Sequence, residues 1–204
     1  MQTVSEECRR IIVQRVIGIG GGGIRIVNAM RRNNTMKIDY VGIDTDIKSL
    51  KESHIKKKLQ IGSLLTNGMG TRANISTGRK AVLEDYSRIK GMLSGADRVF
   101  LIACMGGGTG TGSLPLIAKV AQEKVPQVTC LVTKPYNFEG VKRTMASDVG
   151  IAQLQKTGTA YFVLPLELTF ALQRRKRTLM ENYKIADEIL AQTIASLISV
   201  TSLY

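Results

Sequence analysis

The sequence predicts an α/β architecture, a mostly parallel β-sheet with helices on both faces. Three observations carry that prediction. Six apolar runs of strand length alternate with longer stretches of helical period. No tight hairpin signal such as Asn-Gly joins adjacent strand runs, so crossover connections are expected. Glycine-rich stretches follow directly on two of the runs, at the strand ends where open parallel sheets bind ligands.

The elements follow in order. "IIVQRVIGIG" reads as a strand ending in glycines, and "IRIVNAMRR" as the helix after it. "IDYVGIDTD" is a second strand and "KKKLQIG" a short third one. "STGRKAVLEDYSRIKGMLSGA" places Ala81, Ile89 and Leu93 at helical spacing, with Ser76 as its expected N-cap and Gly95 as its stop. Strand "RVFLIAC", helix "LPLIAKVAQEK", strand "VTCLVT", helix "GVKRTMASDVGIAQLQKT" and strand "AYFVLP" come next. A last helix runs from about Met180 to the end. Ile194, Leu197, Ile198, Val200 and Leu203 point almost all round it, so it wants cover on every side. A following domain or another molecule would supply that cover.

Two glycine stretches carry the chemistry. "GIGGGG" satisfies the GxGxxG pattern through Gly18, Gly20 and Gly23, and Asp44 and Asp46 lie where a ribose-binding acid would sit. Taken alone this is a Rossmann dinucleotide signal, with an ordinary tight turn as its bland alternative. "GGGTGTG", residues 106–112, has no place in that fingerprint, and no GK[ST] follows to make it a Walker loop. It nevertheless has the physics of a polyphosphate cradle. Glycines let successive N–H groups converge on an anion at a helix N-terminus, and Thr109 and Thr111 add hydroxyls.

Composition bounds the alternatives. The 204 residues carry 29 Lys and Arg against 16 Asp and Glu, a net charge of +13, with short basic clusters at 56–58 and 174–177. Such an excess suits an anionic membrane surface, an acidic partner or a phosphate pocket. Aromatic residues make up 5% and none interleaves with a basic cluster, which argues against a nucleic-acid partner. A single histidine, His54, leaves no zinc ligand set, and no protein-held metal is expected. Cys8, Cys104 and Cys130 show no CxxC spacing, and the latter two read as reduced core thiols. The amino terminus lacks the order of a secretion signal and no apolar run reaches the roughly 18 residues of a bilayer span, so a cytoplasmic location is expected.

The second glycine stretch and its surroundings resemble the tubulin/FtsZ superfamily of cytoskeletal GTPases. "VIGIGGGG", "GIDTD", "IGSLLTNGMGTRANISTGRKA", "GADRVFLIACMGGGTGTGSLPLIAKVA", "TKPYNFEGVKR" and "YKIADEIL" follow the family in register from about Ile12 onward. The resemblance implies a GTPase-domain fold and a set of roles. Gly20, Gly21, Gly22, Gly106, Gly107, Gly108, Thr109 and Gly110 would hold phosphates. Asp44, Arg72 and Ala73 would lie near the terminal phosphate. Thr133, Pro135, Glu139 and Arg143 would bind the ribose side, Tyr183 would stack on the base, and Asp187 would accept from guanine. It further implies GTP or GDP as ligand, Mg²⁺ with the triphosphate, and self-association into filaments for cell division.

Departures from the family cluster at this site. Ile24 and Arg25 replace glycine and asparagine, Asp44 replaces asparagine, Arg72 replaces glycine, and Ile75 replaces proline. Leu166, in "LPLE", replaces an asparagine that would contact the base, at a cost of about 1 kcal/mol in polar contact. The expectation is one nucleotide-binding domain over residues 1–204, ending in the long central helix, without the second domain. The family's catalytic carboxylates sit beyond that helix and enter the next subunit's pocket, so hydrolysis is expected only when a partner or further segment supplies them. Three rival readings stay open: a non-hydrolysing paralogue that binds or caps filaments, a basic scaffold for membrane or nucleic acid, and an NAD enzyme.

Overall fold

The computed structural model describes residues 12–33, 38–171 and 178–201. The basic cluster at 174–177, Cys8 and Leu203 lie outside them. Six strands form one sheet: β1 (Gln14–Ile19), β2 (Asp39–Asp44), β3 (Lys57–Gln60), β4 (Arg98–Cys104), β5 (Gln127–Lys134) and β6 (Ala160–Pro165). Their spatial order is β3-β2-β1-β4-β5-β6 and every pairing is parallel. The sequence-predicted sheet is therefore present, with all six strands where the apolar runs lie. Its order reverses direction between β1 and β4, which makes that junction the topological switch point.

Alternate residues of the central strands feed two cores. Ile17, Ile19, Leu101, Ala103 and Val132 face one side, where α4 (Ile75–Glu84), α5 (Tyr86–Leu93), α6 (Gly108–Gln122) and α7 (Val141–Gln155) lie. Val16, Phe100, Ile102 and Leu131 face the other, covered by α1 (Gly20–Asn33), α2 (Ile47–Glu52) and α9 (Leu179–Thr201). Burial on both faces is why these strands read as continuous apolar runs. Two short helices, α3 (Ser63–Thr66) and α8 (Glu167–Ala171), escape the periodicity because neither has room for a repeat. Leu190 and Ile194 of α9 are buried against the α1 side, with Leu197 partly so. No helix among the described residues is long and apolar enough to cross a membrane.

Three local expectations are corrected. The helix expected over 76–96 is broken at Asp85, whose buried carboxylate accepts from the Gly62 N–H at 2.7 Å and pairs with Arg88. Asn74, rather than Ser76, caps α4, accepting from the Thr77 N–H at 3.1 Å. The helices α1 and α6 begin inside the glycine stretches, at Gly20 and Gly108, several residues before the apolar periodicity starts. Glycine costs a helix roughly 1 kcal/mol per residue. Here close packing overrides that cost: a Cβ on Gly112 would fall on the Ile75 carbonyl oxygen, and one on Gly78 on the Gly108 carbonyl oxygen.

Candidate functional site

The two glycine turns leave the adjacent strands β1 and β4 side by side, with Gly18 opposite Ile102 and Ile19 opposite Ala103. Each turn needs one residue in the left-handed region, Gly20 at φ +72° and Gly106 at φ +100°. Two helix N-termini thereby open toward one place. Neither α1 nor α6 has an acidic residue in its first turn, and no side chain caps α6 at Gly107. Uncapped N–H groups and two positive dipole ends create a demand for negative charge.

A cavity of about 480 Å³ lies there. Its wall at this end is Gly20, Gly21, Gly22, Gly107, Gly108, Thr109 and Gly110. The glycines divide by role. A Cβ on Gly22 would stand 2.6 Å from the Cys104 sulfur, so that glycine is required by packing, whereas one on Gly107 would meet nothing within 4 Å. Thr109 anchors the end: its hydroxyl lies 2.8 Å from that of Thr45 and 3.4 Å from that of Thr71.

The middle of the wall comes from the ends of β5 and α7. Thr133 and Pro135 line it with Glu139 and Arg143, which form an ion pair. The Glu139 carboxylate also accepts from the Tyr136 N–H at 3.0 Å. The far end is aromatic and apolar: Tyr183, Leu166 and Met180. Beneath it, buried Tyr136 meets Tyr183 edge-on at 5.4 Å between centroids and holds its hydroxyl 2.8 Å from that of Thr169.

Most of the sequence-selected residues are thus brought together, but five are not on this wall. Asp44 is buried and engaged by its own turn, accepting from the N–H groups of Thr45 at 2.7 Å and Asp46 at 3.3 Å. Burial raises its carboxyl above the ordinary range, outweighing those hydrogen bonds. Asp46 caps α2, so neither acid is presented as the dinucleotide reading requires. Arg72 is exposed and, with Ala73, adopts positive φ (+50° and +63°) in the loop just before α4. Left-handed backbone at two non-glycine residues is strain, of about 1 kcal/mol each. Gly106 forms the turn itself, donating its N–H to the Thr111 hydroxyl at 2.9 Å.

Asp187, the fifth, sits behind the wall. It is 5% exposed and pairs with Arg25 across 3.1 Å; its other oxygen is buried without a partner. Burial pushes its carboxyl up to about 6 against the opposing pull of Arg25. Arg25 itself is on the wall, its guanidinium 4.9 Å from the centre of the Tyr183 ring. Sequence reasoning marked Arg25 and Leu166 as departures at the site without giving either a binding role, and missed Cys104, Thr71 and Met180. Cys104 packs against the α1-side core while also lining the cavity, and Cys130 is buried as expected. Among the described residues no three His, Cys, Asp or Glu side chains converge as a metal site. A second cavity, of about 390 Å³, adjoins this one, with Gly21 and Arg25 lining both and Asn28, Arg31, Arg32 and His54 lining only the second. Of the exposed lysines at 56–58, Lys57 pairs with Asp39 and Lys58 donates to the Ser53 carbonyl.

A family model described as "Tubulin/FtsZ family, GTPase domain" matches residues 13–168. The chain belongs to the tubulin/FtsZ family. The cell division protein FtsZ of Pseudomonas aeruginosa is 40% identical over 182 residues, which are 89% of this chain and 46% of that protein. That of Neisseria gonorrhoeae is 34% identical over 98% of this chain and 50% of its own length. The chain therefore spans about half the length of the FtsZ relatives it matches. Among solved structures, the empty FtsZ dimer of M. jannaschii superposes with a TM-score of 0.87 at 29% identity, over 94% of this chain and 55% of that one. CetZ2 of Haloferax volcanii shares the fold at 21% identity and a TM-score of 0.80.

Proposed function

We propose that this chain binds a guanine nucleotide in the switch-point cavity, as the nucleotide-binding part of a filament-forming cell-division GTPase of the tubulin/FtsZ family. One observation carries the reading: two helix N-termini, neither with an acidic residue in its first turn, converge on a wall of glycine backbone and a threonine hydroxyl. That wall suits the phosphates, Glu139 and Arg143 suit the ribose, and the aromatic end suits a flat base. The relatives' role in cell division supports self-association as the context in which the nucleotide acts.

Magnesium fits this site as an ion carried on the triphosphate. The donors near the glycine wall are the hydroxyls of Thr45, Thr71 and Thr109 rather than free carboxylates, and Mg²⁺ binds readily through phosphate oxygens and retained waters. When bound it would neutralise phosphate charge. Hydrolysis additionally needs an oriented water. Glu139 is the one carboxylate among the described lining residues, and it is already engaged by Arg143 and the Tyr136 N–H. Turnover therefore calls for a carboxylate from a neighbouring subunit or a further segment, and nucleotide binding alone is the activity these residues support.

Calorimetric titration of the nucleotide-free protein with GTP and with inorganic tripolyphosphate tests the reading. Saturable 1:1 binding of GTP, weakened by tripolyphosphate in competition, is the expected result. Absence of binding by both would overturn it.

A further inference from the structure

The aromatic end of the cavity holds an arrangement that the family's sequence pattern does not anticipate. The carboxylate best suited to reading guanine, Asp187, is covered, and a cation stands in front of it. Arg25 is anchored by Asp187 at 3.1 Å, lies 4.9 Å from the Tyr183 ring centre, and keeps 40% of its side chain exposed, on the wall of this cavity and of the adjoining one. Beside Tyr183, Leu166 and Met180, the charged group lining this end is the Arg25 guanidinium, which carries only N–H donors. Leu166, its 4%-exposed neighbour on the wall, offers no polar alternative.

We propose that Arg25 is the specificity-determining residue of this site: it reads the O6 and N7 acceptors of a 6-oxopurine, while Asp187 anchors Arg25 instead of contacting the base. The inference rests on the nucleotide reading above. Its chemistry is that of a donor fork. Arginine presents no acceptor, and its two parallel N–H groups match the adjacent O6 and N7 acceptors of guanine. Adenine sets an N6 donor beside N7, so donor would face donor. Hypoxanthine carries the same O6 and N7 edge as guanine and differs only in lacking the N2 amino group. A carboxylate reading N1–H and N2 would discriminate strongly against hypoxanthine; an arginine reading O6 and N7 does not. The Asp187 pair and the Tyr183 ring hold the guanidinium in place, which reduces the freedom lost on binding.

The test compares GTP, ITP and ATP, with tripolyphosphate as a probe of the phosphate end, on the native chain and on Arg25→Lys. Lysine keeps the charge and the pairing with Asp187 but loses the planar fork. For the native chain, ITP binds within about threefold of GTP and ATP about tenfold or more weaker, the size of a bidentate base contact. In Arg25→Lys the gap between GTP and ATP shrinks to about threefold or less, while tripolyphosphate affinity is unchanged. ITP binding about tenfold or more weaker than GTP in the native chain would overturn the proposal, because the N2 edge would then be read. Equal binding of all three nucleotides, or an unchanged gap in Arg25→Lys, would overturn it and leave the nucleotide reading standing. No binding of any probe, tripolyphosphate included, would overturn both.

Discussion

The two ends of the cavity are made of different material. The glycine end, proposed for the phosphates, is backbone: glycines at the starts of α1 and α6, one threonine hydroxyl, and helix N-termini held side by side by adjacent parallel strands. The aromatic end is side chains, drawn from α1, the end of β6 and the start of α9, and interlocked as Arg25, Tyr183, Asp187 and Leu166. Backbone recognition depends on the fold and survives sequence change. Side-chain recognition can be rewritten one residue at a time. Against the family pattern the departures fall at both ends, Asp44 and Arg72 on the glycine side and Arg25 and Leu166 on the aromatic side.

The largest expected effect tests whether the glycine end is fixed by packing. Gly112→Ala places a Cβ against the Ile75 carbonyl oxygen and 2.9 Å from the Arg79 nitrogen, where two helices meet backbone to backbone. It should lower unfolding free energy by about 3 kcal/mol in urea denaturation; a loss below about 1 kcal/mol would show that α4 and α6 can part easily.

The aromatic end should instead reveal itself through pH. Asp187 has a carboxyl raised to about 6 in the folded chain from an unfolded value of 3.8, with burial the main cause. Raised in the fold, it contributes stability below pH 4 that is lost as pH climbs through 6. Native stability relative to Asp187→Asn should therefore fall by on the order of 2 kcal/mol between pH 4 and pH 7. A parallel pH dependence in both proteins would place the pair's strength in the Arg25 contact and not in desolvation.

Smaller effects sharpen the contrast at the glycine end and in the loop beside it. Thr109→Ala removes the partner of the fully buried Thr45 hydroxyl and should cost about 1 kcal/mol in thermal denaturation. Ala73→Gly relieves left-handed strain at φ +63° and should gain less than about 1 kcal/mol, partly offset by added freedom in the unfolded chain.

The same division explains what was legible in the sequence. The sheet was readable because its central strands β1 and β4 are buried on both faces and so appear as apolar runs that anchor the alternation around them. The glycine end was readable because close backbone approach demands glycine. Where α1 and α6 begin was not readable, since their first turns are glycines whose helical state is imposed by contacts with the α4 loop and with Cys104. The break at Asp85 was hidden for a similar reason: its partner, the Gly62 N–H, is 23 residues away. At the aromatic end, Tyr183 could be selected from sequence, but the covering of Asp187 by Arg25 joins residues 162 positions apart and leaves no local trace.

Gly107→Asp tests the central claim most directly, by titration with GTP alongside thermal unfolding. Gly107 is the N-cap of α6, with ordinary extended backbone at φ −89° and open space where a side chain would go. Aspartate there caps the helix, so stability should hold or rise by a few tenths of a kcal/mol, while its carboxylate takes the place proposed for the phosphates and GTP binding should fall at least about a hundredfold. A stable Gly107→Asp protein that binds GTP as tightly as the native chain would contradict the account, because the nucleotide would then not be held by the converging helix N-termini.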